Sequence, residues 1–392
     1  MNIVILGSFN FPYGSAAASR IRNMAEEFAL NGCRVHVMSL STSFEATGAW
    51  LQYGNIYYKL ARPTFLNRLF RKIHSNLLHY ILSIFSFSRA ERKALDEIGN
   101  IGAILVYDFS FLKVLPFHRY CRKRKIKYIR DIVECFTPDS FVGGRLNPLF
   151  YDHLLDYYSL ARKSDGIIAI STYIKNDFER YVPVIVIPAM IKVSGKPSVK
   201  ETGSEKIHIT FISSFSERDL PELILAALKA YGGNSIFLNL LGNAGKRGYA
   251  LKIRQTVEND EKLKSLAHFW GRVADADLQK IMQGTDFFIF LRRKDKAGLA
   301  AFPTRVPEYL DTARPLISSD TGDLDLYLEN GRDVIFIEND AGSLLRVFND
   351  ISADPRKFDK LGMAGYDTCN KEFNRETRVK QIIAFISSVM NK

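Results

Sequence analysis

The hydrophobic residues of this chain fall into short apolar runs, separated by stretches with the spacing of amphipathic helices. Residues 2–7 form the first apolar run, residues 16–31 have helical spacing and end at Asn31-Gly32, and residues 34–40 form the second run. A strand, a loop, a helix and a second strand in this order open a doubly wound sheet. The pattern therefore predicts an α/β protein.

The same alternation continues along the chain and divides it into two halves. Further strands are predicted at residues 56–60, 101–107, 128–131, 166–170, 184–187, 207–212, 236–241, 267–269, 287–290, 316–318 and 334–337. Helices are predicted at residues 65–98, 149–164, 219–231, 247–258, 275–283, 304–313, 322–329, 340–350, 355–367 and 374–390. Residues 192–206 are polar and rich in Ser, Gly and Lys, which is typical of a linker. Since 392 residues exceed one ordinary core, we expect domains at residues 1–190 and 205–373.

Positive charge is concentrated in one segment. The chain has a net charge of +12, and residues 59–127 contain 15 Lys and Arg against 4 Asp and Glu. This local excess indicates an anionic partner, such as a membrane surface, a phosphorylated lipid or a nucleic acid. Within it, residues 62–93 carry Phe and Leu at helical spacing with Arg and Lys between them. That pattern is typical of an interfacial membrane anchor, and equally of a helix packed on the sheet.

The cysteines and the apolar runs limit the compartment. The four cysteines are scattered and have neither zinc-site nor disulfide-framework spacing, so we expect a reducing cytoplasm and no metal. Residues 1–7 lack the basic start of a signal peptide. The longest other apolar run, residues 77–87, is shorter than the roughly 20 residues of a membrane span. We therefore predict no transmembrane helix.

Residues 302–323 contain the most informative candidate site. Thr304 is predicted to cap a helix that carries Glu308 in its first turn, and a short buried strand follows at residues 316–318. Loops at strand ends that open onto helices bind phosphorylated ligands in α/β sheets. Glu308 could accept hydrogen bonds from the ribose hydroxyls of a nucleotide, or it could be a solvated side chain that favours the helix dipole.

The first half offers a second group of candidates. Gly14 lies in the loop after the first strand and allows a ligand to approach the backbone, although the loop does not match GxGxxG. Arg20 follows early in the next helix, either directed at that ligand or solvated. Asp131 and Glu134 lie at a strand's carboxyl end, where either could orient or deprotonate a substrate hydroxyl, pair with Arg130 or cap a helix.

Several motifs together resemble a known family. They are residues 3–7 (IVILG), 12–15 (PYGS), 165–171 (DGIIAIS), 211–218 (FISSFSER), 269–273 (FWGRV) and 302–323. Their order and spacing are similar to those of retaining glycosyltransferases of the GT-B fold, of the family 4 type. The resemblance extends over essentially the whole chain.

The resemblance implies two Rossmann-like domains facing each other across a cleft, with a closing helix at residues 374–392 that crosses back to the N-terminal domain. The second domain would hold a nucleotide-sugar donor and the first an acceptor, without a metal or other cofactor. The expected donor-binding residues are Gly14, Ser15, Arg218, Lys294, Thr304, Arg305 and Glu308. The expected catalytic residues are Arg20, Asp131 and Glu134.

Two features depart from the family pattern. Ala300 stands where a second Glu is expected eight residues before Glu308, and the usual Arg…Lys-Gly spacing after the first strand of the second domain is not seen at Arg218. The function implied is transfer, with retention, of a sugar to a glycan or lipid-linked acceptor in cell-surface polysaccharide or lipopolysaccharide biosynthesis. The enzyme would work in the cytoplasm or at the inner face of the membrane, through residues 62–93. Two alternatives remain: a GT-B scaffold without catalysis and a nucleic-acid-binding protein. The basic run at residues 121–127 suggests the latter but lacks an aromatic platform.

Overall fold

The computed structural model describes residues 1–40, 48–61, 89–107, 110–197, 205–243 and 248–391. The chain forms two compact units. Unit 1 comprises Met1–Lys192 and Arg375–Lys392, and unit 2 comprises Val193–Asn374. Each unit contains one sheet of mainly parallel strands. The α/β class predicted from the hydrophobic pattern is confirmed.

Unit 1 contains an eight-stranded sheet of order β3-β4-β2-β1-β5-β6-β7-β8. Only the β3–β4 pair of this sheet is antiparallel. The strands are β1 (Asn2–Gly7), β2 (Arg34–Ser39), β3 (Leu51–Tyr53), β4 (Ile56–Leu60), β5 (Ile101–Tyr107), β6 (Lys127–Ile132), β7 (Gly166–Ala169) and β8 (Val184–Val186). Its α-helices are α1 (Ala16–Leu30), α2 (Arg89–Ile98), α3 (Phe111–Arg124), α4 (Pro148–Leu155), α5 (Thr172–Phe178) and, from the end of the chain, α14 (Arg375–Met390).

Unit 2 contains a fully parallel six-stranded sheet of order β11-β10-β9-β12-β13-β14. The strands are β9 (Ile207–Ile212), β10 (Ile236–Leu241), β11 (Ala267–Gly271), β12 (Phe287–Phe290), β13 (Leu316–Ser319) and β14 (Ile335–Ile337). The helices are α6 (Pro221–Ala230), α7 (Tyr249–Asn259), α8 (Glu261–Leu266), α9 (Asp275–Gln283), α10 (Lys296–Ala300), α11 (Arg305–Leu310), α12 (Ala341–Ala353) and α13 (Asp359–Glu372).

The cores follow from strands that are buried on both faces. In β1, residues 3–6 (IVIL) have no exposed surface, and alternate residues belong to separate apolar clusters of unit 1. Such continuous apolar runs are expected where helices cover both faces of a parallel sheet. Helix starts are fixed locally: Ser15, Ser110 and Asp340 each accept a hydrogen bond from a backbone amide in the first turn of α1, α3 and α12.

Several predicted elements need correction. The helix predicted at residues 149–164 is continuous but irregular, because α4 is followed by a π-helical turn (Asp156–Leu160) and a 3-10 turn (Ala161–Lys163). The helix predicted at residues 322–329 is only a 3-10 turn, Leu324–Leu326. Of the helix predicted at residues 65–98, the described part includes α2, whereas residues 62–88 lie outside the described ranges. None of the described helices combines the length and apolarity needed to cross a lipid bilayer.

Candidate functional site

The order of the strands places a candidate binding edge in each unit. In unit 2 the chain passes from β9 to β10 on one side and returns to β12 on the other, so the sheet changes direction between β9 and β12. In unit 1 the same change occurs between β1 and β5. Ligands of open α/β sheets bind at the carboxyl ends of the strands at such a switch point. Most of the candidates identified in the sequence lie on loops of these two edges.

The loops after β9 and β12 are joined directly in unit 2. The backbone amide of Arg293 donates to the carbonyl of Arg218 at 3.0 Å. The side chain of Arg218 is exposed. Lys294, the second predicted cation, lies 3.8 Å from the Asp320 carboxylate, and both side chains are partly exposed. The structure therefore brings both predicted cations to the carboxyl edge of the unit 2 sheet, on adjacent loops.

A buried network in the β9 loop went unrecognised in the sequence. The Asp219 carboxylate is almost fully buried and accepts hydrogen bonds from the hydroxyls of Ser213, Ser214 and Ser216 at 2.7, 3.0 and 3.0 Å. Its other oxygen lies 3.3 Å from the guanidinium of Arg292. The signal was present as a serine-rich loop ending in Asp, since hydroxyls three to six residues away satisfy a carboxylate locally.

Arg292 is held by its backbone as well. Its amide donates to the Ser319 hydroxyl at 3.1 Å, and its carbonyl accepts from the Asn339 side chain at 2.9 Å. The loops after β9 and β14 and the last residue of β13 thus fix this single arginine at one edge. Arg292 is therefore a better-positioned cation at this edge than either Arg218 or Lys294.

Helix α11 carries the central acidic candidate. The Arg305 guanidinium lies 2.6 Å from the Glu308 carboxylate, and both side chains are only partly buried. Burial disfavours the charged form of Arg305, but the charge of Glu308, the neighbouring Tyr309 and the hydrogen bond to Glu308 together raise the pKa of Arg305. The Tyr309 ring stacks on Phe288 of β12 with centroids 4.4 Å apart, which anchors the helix on the sheet. Glu308 is thereby presented at the carboxyl edge from a fixed support.

Two expectations about α11 are corrected. Thr304 precedes the helix as predicted, but its backbone is helical (φ −67°, ψ −22°) and its hydroxyl makes no capping bond, so it lies exposed. The helix ends at Leu310 and has only six residues, so its dipole contributes little at Glu308. Ala300, at the end of α10, is fully buried and presents no side chain to a ligand.

In unit 1, Arg20 of α1 and Asp131 of β6 form a buried ion pair. Two guanidinium nitrogens of Arg20 donate to the two carboxylate oxygens of Asp131 at 2.9 and 2.8 Å. The two residues are 6% and 1% exposed, so Arg20 is not the solvated side chain that was one alternative. Burial opposes the charge of Arg20, yet Asp131 raises its pKa overall. Asp131 does not pair with Arg130, which instead binds Asp156 at 2.6 Å.

The other unit 1 candidates lie on loops. Glu134 follows β6 and is exposed, so it faces solvent while Asp131 points inward. Gly14 has φ +111°, a conformation that a residue with a side chain would adopt only with strain. The Ser15 hydroxyl caps α1 by accepting from the Ala18 amide at 3.1 Å. Among the residues that the structure describes, no group of three His, Cys, Asp or Glu is arranged to hold a metal.

An aromatic pair beside Gly14 was also missed. Tyr13 is exposed, its ring meets that of Tyr53 edge-on at 5.9 Å, and the two hydroxyls are 3.2 Å apart. The Arg22 guanidinium lies 4.9 Å from the centre of the Tyr13 ring. Tyr13 and Tyr53 are 40 residues apart in sequence, so spacing could not have paired them.

Known proteins resemble this chain in part of its sequence and in its fold. Residues 221–384 match the family model described as "Glycosyl transferase-like". No curated protein sequence matches the chain.

Solved structures match over nearly the full length. Sucrose-phosphate synthase from Thermosynechococcus elongatus is 14% identical with a TM-score of 0.80, covering 100% of this chain and 99% of its own. HepE of Anabaena, solved with UDP and glucose, is 14% identical with a TM-score of 0.72, covering 98% and 99%. The trehalose-6-phosphate synthase OtsA is 14% identical with a TM-score of 0.71, covering 99% of each chain.

These matches confirm the predicted fold class of two Rossmann-like domains of the GT-B type. Sequence identities near 14% establish the fold and leave the substrates undetermined. The family match covers unit 2 from residue 221 and the start of α14, and the solved structures share the fold of the whole chain.

Proposed function

We propose that this protein transfers a sugar from a nucleotide-sugar donor to an acceptor hydroxyl, with retention at the anomeric carbon. The observation that carries the proposal is the glycosyl transferase-like match over residues 221–384, which include the presented Glu308. HepE was solved in complex with UDP-glucose, so UDP-glucose is the first donor to test.

The donor is proposed to lie along the carboxyl edge of unit 2. One Glu308 oxygen binds Arg305, and the carboxylate keeps capacity to accept hydrogen bonds from ribose hydroxyls. Arg292, held by the buried Asp219, and the partly exposed Lys294 are proposed to neutralise the diphosphate, because positioned charged donors stabilise charge that develops in a transition state. Thr304 and Arg218 are the exposed side chains that we expect to order around the nucleotide.

In the reaction, the bond between the anomeric carbon and the diphosphate oxygen breaks, and the bonding electrons leave with the nucleoside diphosphate. The acceptor oxygen forms the new bond, and its proton passes to a base. Glu134 is the proposed group for acceptor binding and proton removal, because it is exposed at the carboxyl edge of unit 1. Arg20 and Asp131 are proposed to hold α1 and β6 in register, with Gly14 and Ser15 shaping the neighbouring loop.

The proposed acceptor is a glycan or a lipid-linked glycan of cell-surface polysaccharide or lipopolysaccharide biosynthesis, used at the cytoplasmic face of the membrane. The support is the concentration of positive charge in residues 59–127, which suits an anionic surface. The proposal requires no metal, since cationic side chains carry out the neutralisation.

Calorimetric titration with UDP, GDP, dTDP and CMP, followed by an assay of UDP-glucose hydrolysis, tests the proposal. We expect one nucleotide to bind and its sugar conjugate to release free sugar slowly. Binding without any release, under conditions that include candidate acceptors, would instead favour a non-catalytic scaffold, which the buried Ala300 makes a specific alternative. Absence of binding by all four nucleotides would contradict the proposal.

A further inference from the structure

A band of exposed apolar and aromatic side chains runs along the irregular helix of unit 1. Val142 and Leu146, in the loop just before α4, are 90% and 91% exposed. Tyr151, Leu155 and Tyr158 follow at spacings of four and three residues and are also exposed. Single exposed apolar residues are ordinary, but clusters of them mark interaction sites. We call these five residues the 142–158 surface.

The loop that presents Val142 and Leu146 is ordered by its own contacts. The Asn147 side chain accepts from the Leu149 amide at 2.9 Å and donates to the Val142 carbonyl at 2.8 Å. The amide of Leu146 donates to the carbonyl of Gly143 at 3.0 Å. The two apolar side chains are therefore exposed on a hydrogen-bonded loop at the start of α4.

Cations accompany this surface without acidic partners. Arg145, Arg162, Lys163 and Arg180 form no ion pair with any residue in the described ranges. The Arg162 guanidinium instead lies over the exposed rings of Tyr158 and Tyr181, at 4.9 and 4.3 Å from their centres. Contacts with two rings hold its planar cation in place without neutralising its charge.

The acidic residues nearby are mostly engaged elsewhere. Asp156 binds the buried Arg130, Asp177 accepts from the Tyr157 hydroxyl, and Glu179 pairs with Lys175. Asp139 is an exposed carboxylate of the same loop, and Asp177 keeps its negative charge. What distinguishes this surface is therefore the four cations beside it that form no ion pair in the described ranges.

We propose that the 142–158 surface docks unit 1 on an anionic phospholipid bilayer. Aliphatic side chains of such a surface enter the boundary between headgroups and acyl chains, tyrosines lie at headgroup depth, and arginines bind lipid phosphates. A nucleic acid would use the cations and rings but would leave Val142, Leu146 and Leu155 exposed to water. The inference rests on the proposed function only for its purpose, which is to bring the enzyme to lipid-linked acceptors. The 142–158 surface does not include residues 62–93.

Co-sedimentation with vesicles tests the docking. We expect the full-length protein to bind vesicles of equal phosphatidylcholine and phosphatidylglycerol, and to bind phosphatidylcholine alone much more weakly. The double variant Val142→Ser/Leu146→Ser should need about tenfold more lipid for half-maximal binding, because it removes several methyl and methylene groups from the interface. Arg145→Gln/Arg180→Gln should lose about fivefold per cation and much of the salt dependence.

Matched controls use exposed residues of the same types in unit 2. Leu326→Ser and Arg272→Gln alter an exposed leucine and an exposed arginine elsewhere and should leave vesicle binding unchanged. Circular dichroism and thermal unfolding of every variant check that the fold is retained.

Three results would overturn the docking proposal. The wild type could fail to bind the anionic vesicles, or both double variants could bind them unchanged. The third result is a dimer in ultracentrifugation that is lost when Leu146 is changed, because the surface would then be an interface between copies of the chain. Nucleotide binding in lipid-free solution is measured in parallel on the same variants. If nucleotide binding is normal while docking fails, the docking proposal alone falls; if nucleotide binding is absent from the wild type, the proposed function falls.

Discussion

The ion pair between Arg305 and Glu308 is partly exposed, so its value for stability should be small while its value for binding should be large. We predict that Glu308→Gln raises the Kd for the nucleotide about tenfold or more, because hydrogen bonds to a charged group contribute roughly 1.5–3 kcal/mol. The free energy of unfolding should change by less than about 1 kcal/mol. Calorimetric titration and urea unfolding measure the two effects.

Glu329→Gln is the matched control, since Glu329 pairs with Arg332 at the same i, i+3 spacing on the surface of unit 2. It should alter neither quantity. A Glu308→Gln variant that binds nucleotide as tightly as the wild type would remove Glu308 from the donor site.

The buried pair of Arg20 and Asp131 should behave in the opposite way. Asp131→Asn leaves the Arg20 guanidinium buried without a counter-charge, and we expect a loss of about 3–5 kcal/mol in the free energy of unfolding. The double variant Arg20→Met/Asp131→Leu should recover most of that loss, because apolar residues of similar volume often replace buried ion pairs without cost.

Urea unfolding of both variants checks this prediction, with Glu258→Gln, in an exposed pair with Arg254, as a control expected to lose less than about 1 kcal/mol. If Asp131→Asn kept its stability but lost turnover, Asp131 would be a catalytic residue and the positioning role proposed for it would be wrong.

These pairs also show what sequence could reveal about single residues. Arg305 and Glu308 are three residues apart on one helix, so their proximity follows from helical spacing. Arg20 and Asp131 are 111 residues apart, and the sequence did not predict that they pair. Arg20 was expected to face a ligand or solvent, and Arg130 was the partner considered for Asp131. Asp219 and Arg292 were missed for the same reason, since only the order of the strands brings β9 and β12 together.

Strand β2 carries a histidine that should make stability depend on pH. His36 is buried, stacks on Tyr57 with ring centres 5.5 Å apart, and has its Nδ1 atom buried without a hydrogen bond. Burial, followed by the nearby charge of Arg34, lowers the pKa of His36 to about 4. In the unfolded chain the imidazole titrates near 6.5.

The sign of this pH dependence follows from whether the folded or the unfolded state takes up the proton first as the pH falls. Above pH 6.5 both states are neutral and the full stability is present. Between pH 6.5 and 4 the unfolded chain is protonated and the folded one is not, so stability falls with pH. We predict that wild type loses about 2–3 kcal/mol more than His36→Phe over this range, at 1.36 kcal/mol per pKa unit. The free energy of unfolding is measured by urea unfolding at pH 7 and pH 4. If wild type and His36→Phe lost the same amount between these pH values, His36 would be protonated in the folded protein at pH 4.

Whole elements were predicted better than their ends. Apolar runs buried on both faces located the strands, as in β1 and β12, because burial alone determines such runs. Short α8 and α10 were not predicted, since one or two turns give too little periodicity to detect. The turn at Leu324–Leu326 was overestimated because its apolar spacing suits a longer helix.

At the scale of the molecule, the chain forms two units, and the sequence range of unit 2 is inserted into that of unit 1. Helix α14 lies after unit 2 in sequence but belongs to unit 1, where Val379, Ile382 and Ile386 join its core. The buried Arg375 donates to Glu27 of α1 at 2.8 Å and so fixes the start of α14. Hydrophobic periodicity predicted this helix but could not assign its unit, which came from the family resemblance.

The two tryptophans provide a test of how the units respond to ligand, because Trp50 lies in unit 1 and Trp270 in unit 2. Trp270→Phe and Trp50→Phe each leave one fluorescent reporter. If the donor nucleotide binds unit 2 alone, a concentration of about 100 times Kd stabilises that unit by roughly 2.7 kcal/mol. For a unit of this size the shift is about 5–10 °C in Tm. We expect it in the transition reported by Trp270, with the transition reported by Trp50 unchanged. Equal shifts at both reporters would show that nucleotide binding stabilises the two units as one cooperative structure, whereas a shift at Trp50 alone would move the donor site to unit 1.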